Sequence, residues 1–149
     1  MGPGPEEVIR VVVDTNVVVS AALSPRGKPA QVVRAAGLRF ELVWTGAIVA
    51  ECYRILSGPR LARLLKGREE YARTVVAGLA AGATMVAPEL LAAVRVVQED
   101  PDDDVLFGAA LAGGARFVVS GDAAVLAVGN FAGVKVVSAA EFLATLGEP

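Results

Sequence analysis

The sequence predicts an α/β fold built on a parallel sheet with helices on both faces, and two observations lead to this prediction. Apolar runs rich in β-branched residues alternate with helix-like stretches along the whole chain, as is typical of parallel strands joined by crossover helices. The first run, residues 8–13, ends at Asp14 and has the composition of a buried strand. The 149 residues contain no evident linker or repeat, so we expect one domain spanning residues 1–149.

The later elements are predicted from their start and stop residues. A helical stretch follows Asp14, is interrupted by a loop at 24–27 and resumes at Pro29, a residue suited to a first helical turn. Gly37 is a suitable stop for this helix, while segment 89–98 fits either a strand or a helix. The other predicted strands lie at Glu41–Trp44, 84–87, 116–120 and Val134–Val137, and the other helices at 45–56, at 60–80 with a break at Gly67, at 100–114, at Ala123–Val128 and at Ala139–Leu146.

The composition excludes several kinds of chemistry. The chain has no histidine and one cysteine, Cys52. This excludes serine-hydrolase triads, histidine-based acid–base catalysis and zinc sites built from histidine or thiolate ligands. Polar chemistry in this protein must therefore use carboxylates, hydroxyls and hard metal ions.

Cysteine usage and hydrophobicity give expectations about location and assembly. A lone cysteine suits a reducing cytoplasm, the first ten residues lack the apolar stretch of a signal peptide, and no apolar run reaches the ~20 residues of a membrane span. We therefore expect a cytoplasmic protein without a membrane segment. The hydrophobic fraction of 54% is high for such a protein and suggests a buried self-interface, as in a homodimer.

The charge distribution is uneven. A net charge of −2 argues against a generic nucleic-acid binder. Basic residues nevertheless gather between positions 54 and 73, and four of them are candidates for gripping backbone phosphates: Arg60, Arg63, Lys66 and Arg68. The alternative is that these side chains only form a solvated helical face.

Acidic residues follow two of the predicted strands. Asp14, with Thr15 and Asn16, comes directly after the first strand, and Asp122 follows Ser120 and Gly121 after the strand at 116–120. Because ligands bind beyond the carboxyl ends of parallel strands, both carboxylates are expected to face the same crevice. Each aspartate also has a simpler interpretation as the N-cap of the helix that follows it.

A glutamate is expected to lean toward the same crevice. On a helix, Glu51 lies at the margin of an apolar stripe that contains Ile48, Cys52 and Ile55. A partly buried glutamate needs a metal ion or a partner of opposite charge. An ion pair with Arg54 is the alternative to a metal-binding role.

The run of aspartates at 100–104 opens a predicted helix. Asp100 is the expected N-cap, because a proline follows it in the first turn. Asp103 shares a helix face with the apolar residues three and four positions further on, so it is the aspartate aimed inward. Asp102 and Asp104 flank it as possible auxiliary ligands.

Taken together, the acids predict a metal site. Carboxylates brought close together raise one another's pKa unless a cation neutralises them. Ligands that offer only oxygen select Mg²⁺ or Mn²⁺, and one or two such ions can activate water for in-line attack at phosphorus. The predicted ligands and catalytic acids are Asp14, Glu51, Asp103 and Asp122.

These residues resemble the PIN-domain family, specifically its bacterial toxin-like (VapC-like) branch. The resemblance rests on VVVDTNVVVSAAL at 11–23, TGAIVAECYRIL at 45–56 and EDPDDDVLFGAALAGGARFVVSGDAAVL at 99–126. The four acids match the metal-binding acids of the family, and Asn16 and Ser120 match its supporting polar positions. Ser120 stands where many members have threonine, which keeps the hydroxyl.

The resemblance implies a three-layer α/β/α sandwich around a mainly parallel sheet of about five strands. It also implies Mg²⁺-dependent cleavage of RNA, homodimers and, for many such proteins, a toxin role in a type II pair with an antitoxin. Two alternatives stay open: a Mg²⁺-dependent phosphohydrolase, although Asp14 lacks a second aspartate two positions on, and a non-catalytic RNA-binding or assembly module.

Overall fold

The computed structural model describes residues 8–87 and 104–147, with the side chain of Asp104 excepted. In chain order the described elements are β1 (Arg10–Val13), α1 (Thr15–Leu23), α2 (Lys28–Ala35), β2 (Glu41–Trp44), α3 (Gly46–Leu56), α4 (Pro59–Leu65), α5 (Glu69–Gly82), β3 (Thr84–Met85), α6 (Asp104–Gly113), β4 (Phe117–Val119), α7 (Ala123–Val128), β5 (Asn130–Phe131), β6 (Val134–Val137) and α8 (Ala139–Leu146). The predicted alternation of strands and helices is confirmed.

The sheet has six strands in the order β3-β2-β1-β4-β6-β5. All neighbours pair in parallel except β5 and β6, which form an antiparallel hairpin at one edge. Helices flank the sheet in a three-layer α/β/α arrangement, which confirms the predicted fold class. The two-residue strand β5 was missed because it is too short to show an alternating pattern. Its turn contains Ala132 and Gly133, both at positive φ, as tight hairpins require.

The centre of the sheet is the core of the molecule. The valines at 11–13 of β1 and at 118–119 of β4 are at most 3% exposed, which explains why these strands are uninterrupted valine runs. Trp44 at the end of β2 is fully buried, and its indole N–H donates to the carbonyl of Val13 over 2.8 Å. The strand ends that carry the candidate site are therefore held by rigid neighbours.

Glycine at position 113 allows α6 to lie close to the sheet. A Cβ atom added there would clash with Val43 Cγ1 on β2. The helix was predicted to start at residue 100 with Asp100 as its N-cap, and that predicted start lies outside the described residues. None of the helices in the described ranges is long and apolar enough to cross a bilayer.

Candidate active site

Asp14 is the central acid of the site. It occupies the N-cap position of α1, yet its side chain makes no capping hydrogen bond. Instead its Oδ2 accepts from Ser120 Oγ over 2.7 Å and from Asn16 Nδ2 over 3.0 Å. The residue is 6% exposed. The capping interpretation of this aspartate is therefore wrong for its side chain, which is held toward the carboxyl end of β4.

A polar network joins the carboxyl ends of β1 and β4, which are paired in the sheet. Besides binding Asp14, Ser120 Oγ accepts from the backbone N–H of Asp122 over 3.0 Å. Asn16 Oδ1 accepts from the N–H of Gly121 over 3.0 Å. The residues expected to support the site thus connect two of the predicted acids through hydrogen bonds.

The electrostatics of Asp14 disfavour its own ionisation. Burial raises the pKa of its carboxyl above 3.8, and the negative charges of Glu51 and Asp122 raise it further. The hydrogen bond from Ser120 and the neighbouring backbone of Thr15 lower the same pKa without cancelling the rise. A cation beside Asp14 would reverse the balance, since an opposite charge favours the ionised form.

Glu51 faces a cleft next to Asp14. The cleft has a volume of about 160 Å³ and is lined by Asp14, Ala47, Ile48, Glu51, Arg54, Val105 and Leu106. Glu51 Oε2 lies 3.6 Å from Nη2 of Arg54, and the Glu51 side chain is 30% exposed. Glu51 therefore combines features of both interpretations, because it lines the cleft and also pairs with Arg54.

Asp122 acts as the N-cap of α7. Its Oδ1 accepts from the backbone N–H groups of Ala124 over 2.8 Å and of Val125 over 3.4 Å. The capping interpretation is correct for this residue. Both bonds reach the same oxygen, so capping occupies one side of the carboxylate.

The predicted aspartate run is only partly described. Asp102 and Asp103 lie outside the described residues, and Asp104 is described as the first residue of α6 without its side chain. The next two residues of α6, Val105 and Leu106, line the cleft. Asp104, the last residue of the run, therefore begins α6 next to the cleft that holds Asp14 and Glu51.

The donor set fits a divalent cation in chemistry. The acids at this edge of the sheet offer only oxygen, which suits Mg²⁺ or Mn²⁺. Among the described residues, however, no three acids or cysteines stand close enough to form a complete metal site. Asp14 and Glu51 would supply part of the ligand set, and the predicted remainder includes Asp103.

The predicted phosphate-binding residues lie apart from the cleft lining. Arg60 and Arg63 are on α4, Lys66 ends it in a left-handed conformation, and Arg68 precedes α5. Arg54 is the cationic residue that does line the cleft among the described residues. The sequence suggested Arg54 only as an ion-pair partner of Glu51. Its position three residues after Glu51 nevertheless indicated that both side chains lie on the same face of the helix.

Two further buried groups lie beside the site and were not predicted to belong to it. Thr15 is 2% exposed, and its hydroxyl lies close enough to the Cys52 thiol to lower the pKa of that thiol. Cys52 is fully buried. Burial raises the pKa of the Cys52 thiol to about 11, with further contributions from the charges of Glu51 and Asp14. The thiol therefore stays protonated near neutral pH.

The fold and its acidic strand ends define an α/β protein of PIN-like architecture. A family model described as the PIN domain matches residues 10–124. The chain therefore belongs to the PIN-domain family, as the sequence motifs indicated. PIN domains are generally nucleases that use divalent metal ions. No curated protein sequence matches the chain significantly.

Solved structures support the fold. PAE2754 from Pyrobaculum aerophilum aligns with a TM-score of 0.66 at 19% identity, covering 93% of this chain and 90% of that one. VapBC2 from Rickettsia felis, bound to a DNA fragment from its promoter, aligns with a TM-score of 0.59 at 11% identity, covering 87% and 98%. FitAB bound to the IR36 DNA fragment gives 0.54 at 17% identity, covering 87% and 94%.

Proposed function

We propose that this protein is a cytoplasmic, divalent-metal-dependent endoribonuclease with Asp14, Glu51, Asp103 and Asp122 as its catalytic acids. The observation that carries the proposal is the buried carboxylate of Asp14. Ser120 and Asn16 hold it at the carboxyl end of β1, and it faces a cleft that also contains Glu51. Membership of a family of nucleases supports the reaction class.

The residues of the chain prepare this site in two ways. Ser120 and Asn16 orient one oxygen of Asp14, and the network through Gly121 and Asp122 fixes the distance between the ends of β1 and β4. Such orientation before substrate arrives is what makes electrostatic catalysis effective. A bound Mg²⁺ or Mn²⁺ would supply Lewis acidity toward a phosphodiester and toward water.

Cleavage of RNA is the decisive test. A labelled RNA mixture should be cut in Mg²⁺ and left intact in EDTA. Asp14→Asn should lower the rate by at least about a hundredfold, the scale seen when one electrostatic contact to a transition state is lost. Glu70→Gln is the matched control, because Glu70 is exposed on α5 and the change removes one carboxylate charge away from the cleft. Undiminished cleavage in EDTA, or by Asp14→Asn, would refute the proposal.

Metal binding separates a nuclease from a non-catalytic module of the same fold. Calorimetric titration with Mn²⁺ should show specific uptake by the wild type and weakened uptake by Asp14→Asn. A protein that only binds RNA or assembles with partners should show no specific uptake by either.

We further propose a toxin role with an antitoxin partner and a homodimeric state. The support is the toxin-like motif set and the similarity to VapBC2 and FitAB, which are structures of complexes bound to DNA. Induced expression should arrest bacterial growth, Asp14→Asn should not, and co-expression of a small neighbouring reading frame should restore growth. Continued growth under wild-type expression would contradict the toxin role while leaving the nuclease activity open to its own test.

A further inference from the structure

We propose that Arg54 binds a phosphate of the substrate and that Glu51, through its ion pair with this arginine, competes with the phosphate. The inference rests on the proposed function, because it names a substrate-binding residue of the same site. It commits to a phosphodiester as the ligand.

The charge of the cleft creates the need for such a residue. Asp14 and Glu51 line the cleft, and the pKa of Asp14 also responds to the charge of Asp122. Two acids thus face one cation among the described lining residues, and the remaining described lining is apolar. A phosphate entering a space so rich in negative charge meets repulsion, and Arg54 is the described side chain there that can attract it.

The geometry of the ion pair suits exchange. Arg54 Nη2 and Glu51 Oε2 are 3.6 Å apart, which is longer than a normal hydrogen bond. The Arg54 side chain is 69% exposed, and exposed pairs of this kind contribute little stability. Glu51 can therefore leave Arg54 at little cost.

The chemistry of arginine suits the new partner. A guanidinium carries five N–H donors in a planar fork that matches two phosphate oxygens. Among the described residues no hydrogen bond from Arg54 is seen, so the ion pair with Glu51 is the interaction that a phosphate would have to displace.

The inference makes Glu51 and Arg54 energetically coupled in RNA binding. In the wild type the ion pair with Glu51 partly covers Arg54, so Arg54→Gln should change the affinity for RNA by less than about twofold. Glu51→Gln removes the competing charge. In that background the same Arg54→Gln change should weaken binding roughly tenfold, the size expected for one charge-assisted hydrogen-bonded contact.

The experiment is a double-mutant cycle without metal. Fluorescence anisotropy in EDTA measures binding of a fluorescein-labelled single-stranded RNA to the wild type, Glu51→Gln, Arg54→Gln and the double variant. In the Glu51→Gln background, Arg54→Gln should also reduce the slope of log affinity against log salt by about 0.7, the value for one phosphate contact on a single strand. Arg54→Lys should restore that slope and only part of the affinity.

A matched control removes a positive charge from the amino-terminal end of β4, opposite the strand ends that carry the candidate site. Arg116 is exposed and immediately precedes β4, so Arg116→Gln has the same change in net charge away from the cleft. Equal effects of Arg54→Gln and Arg116→Gln in the Glu51→Gln background, or equal effects of Arg54→Gln in both Glu51 backgrounds, would overturn the inference. Because no cleavage is measured, this outcome is distinct from a failure of the Mg²⁺ cleavage test.

Discussion

Removing the hydroxyl of Ser120 tests the link between β1 and β4 on which the candidate site depends. Ser120 is fully buried, donates to Asp14 Oδ2 over 2.7 Å and accepts from the N–H of Asp122 over 3.0 Å. A hydrogen bond to a charged group contributes about 1.5–3 kcal/mol, and the change also leaves the Asp122 N–H without this partner. We therefore expect Ser120→Ala to lower the free energy of unfolding at pH 7 by about 2–3 kcal/mol.

Urea denaturation followed by the fluorescence of Trp44, the only tryptophan, measures this change. At about 2–4 °C per kcal/mol for a chain of this size, the melting temperature should fall by roughly 4–12 °C. Ser20→Ala is the matched control, because Ser20 is exposed on α1 and such substitutions change stability by about 0.5 kcal/mol at most. If Ser120→Ala is no more destabilising than Ser20→Ala, the network does not hold the two strand ends.

The pH dependence of the Ser120→Ala effect gives a second check. The bond from Ser120 lowers the pKa of Asp14, which means that it favours the ionised carboxylate. The cost of losing the hydroxyl should therefore be greatest at pH values where Asp14 is ionised in the folded protein. It should shrink as the pH falls and Asp14 takes up a proton. A cost independent of pH would point to packing rather than to this hydrogen bond.

Three other predictions follow from burial and close approach. In EDTA, Asp14→Asn should raise the free energy of unfolding at pH 7. The pKa of Asp14 is raised in the folded protein, so the wild type is most stable below the pKa of the unfolded state and loses stability as the pH rises through the pKa of the folded state. Denaturation at several pH values checks this, and a loss of stability in the variant would contradict it. Cys52, with a pKa of about 11, should resist a thiol reagent at pH 8 until the protein unfolds; rapid labelling of the folded protein would refute its burial. Gly113→Ala should lower the free energy of unfolding by about 1–3 kcal/mol, because its Cβ would meet Val43. Gly78→Ala on α5, where nothing lies within 4 Å, should instead raise it by about 0.5–1 kcal/mol. Equal melting temperatures of the two variants would contradict both predictions.

The fold was predictable because its strongest signals are local. The valine runs of β1 and β4 are uninterrupted because both faces of these central strands are covered, and burial leaves little choice of residue. Helix starts were predictable wherever a cap is formed by a side chain. Thr45 accepts from Ile48 N–H, and Ser138 forms a capping box with Glu141. Strand β5 was not predictable, since its pairing with β6 depends on a turn rather than on a pattern of side chains.

The position of the candidate site in the fold was predictable, but the contacts of its side chains were not. Strand order brings the ends of β1 and β4 together, so the proximity of Asp14 to Ser120 and Asp122 followed from topology. The role of each carboxylate depends on single hydrogen bonds, which sequence does not encode locally. Asp14 and Asp122 both occupy N-cap positions, and only the second uses its side chain as a cap.

Helix capping and metal binding are compatible roles for one carboxylate, because each can use a different oxygen. Both bonds to Asp122 reach Oδ1, and the bonds that Ser120 and Asn16 make to Asp14 reach Oδ2. A carboxylate fixed through one oxygen is oriented, and its other oxygen can still face a cation. Glu51 differs, because it is held only by a long ion pair with Arg54. Of the three described acids, the two at strand ends are therefore held in place before a cation binds. In the proposed function, Glu51 is the acid whose position would respond to a bound cation and, through Arg54, to the substrate.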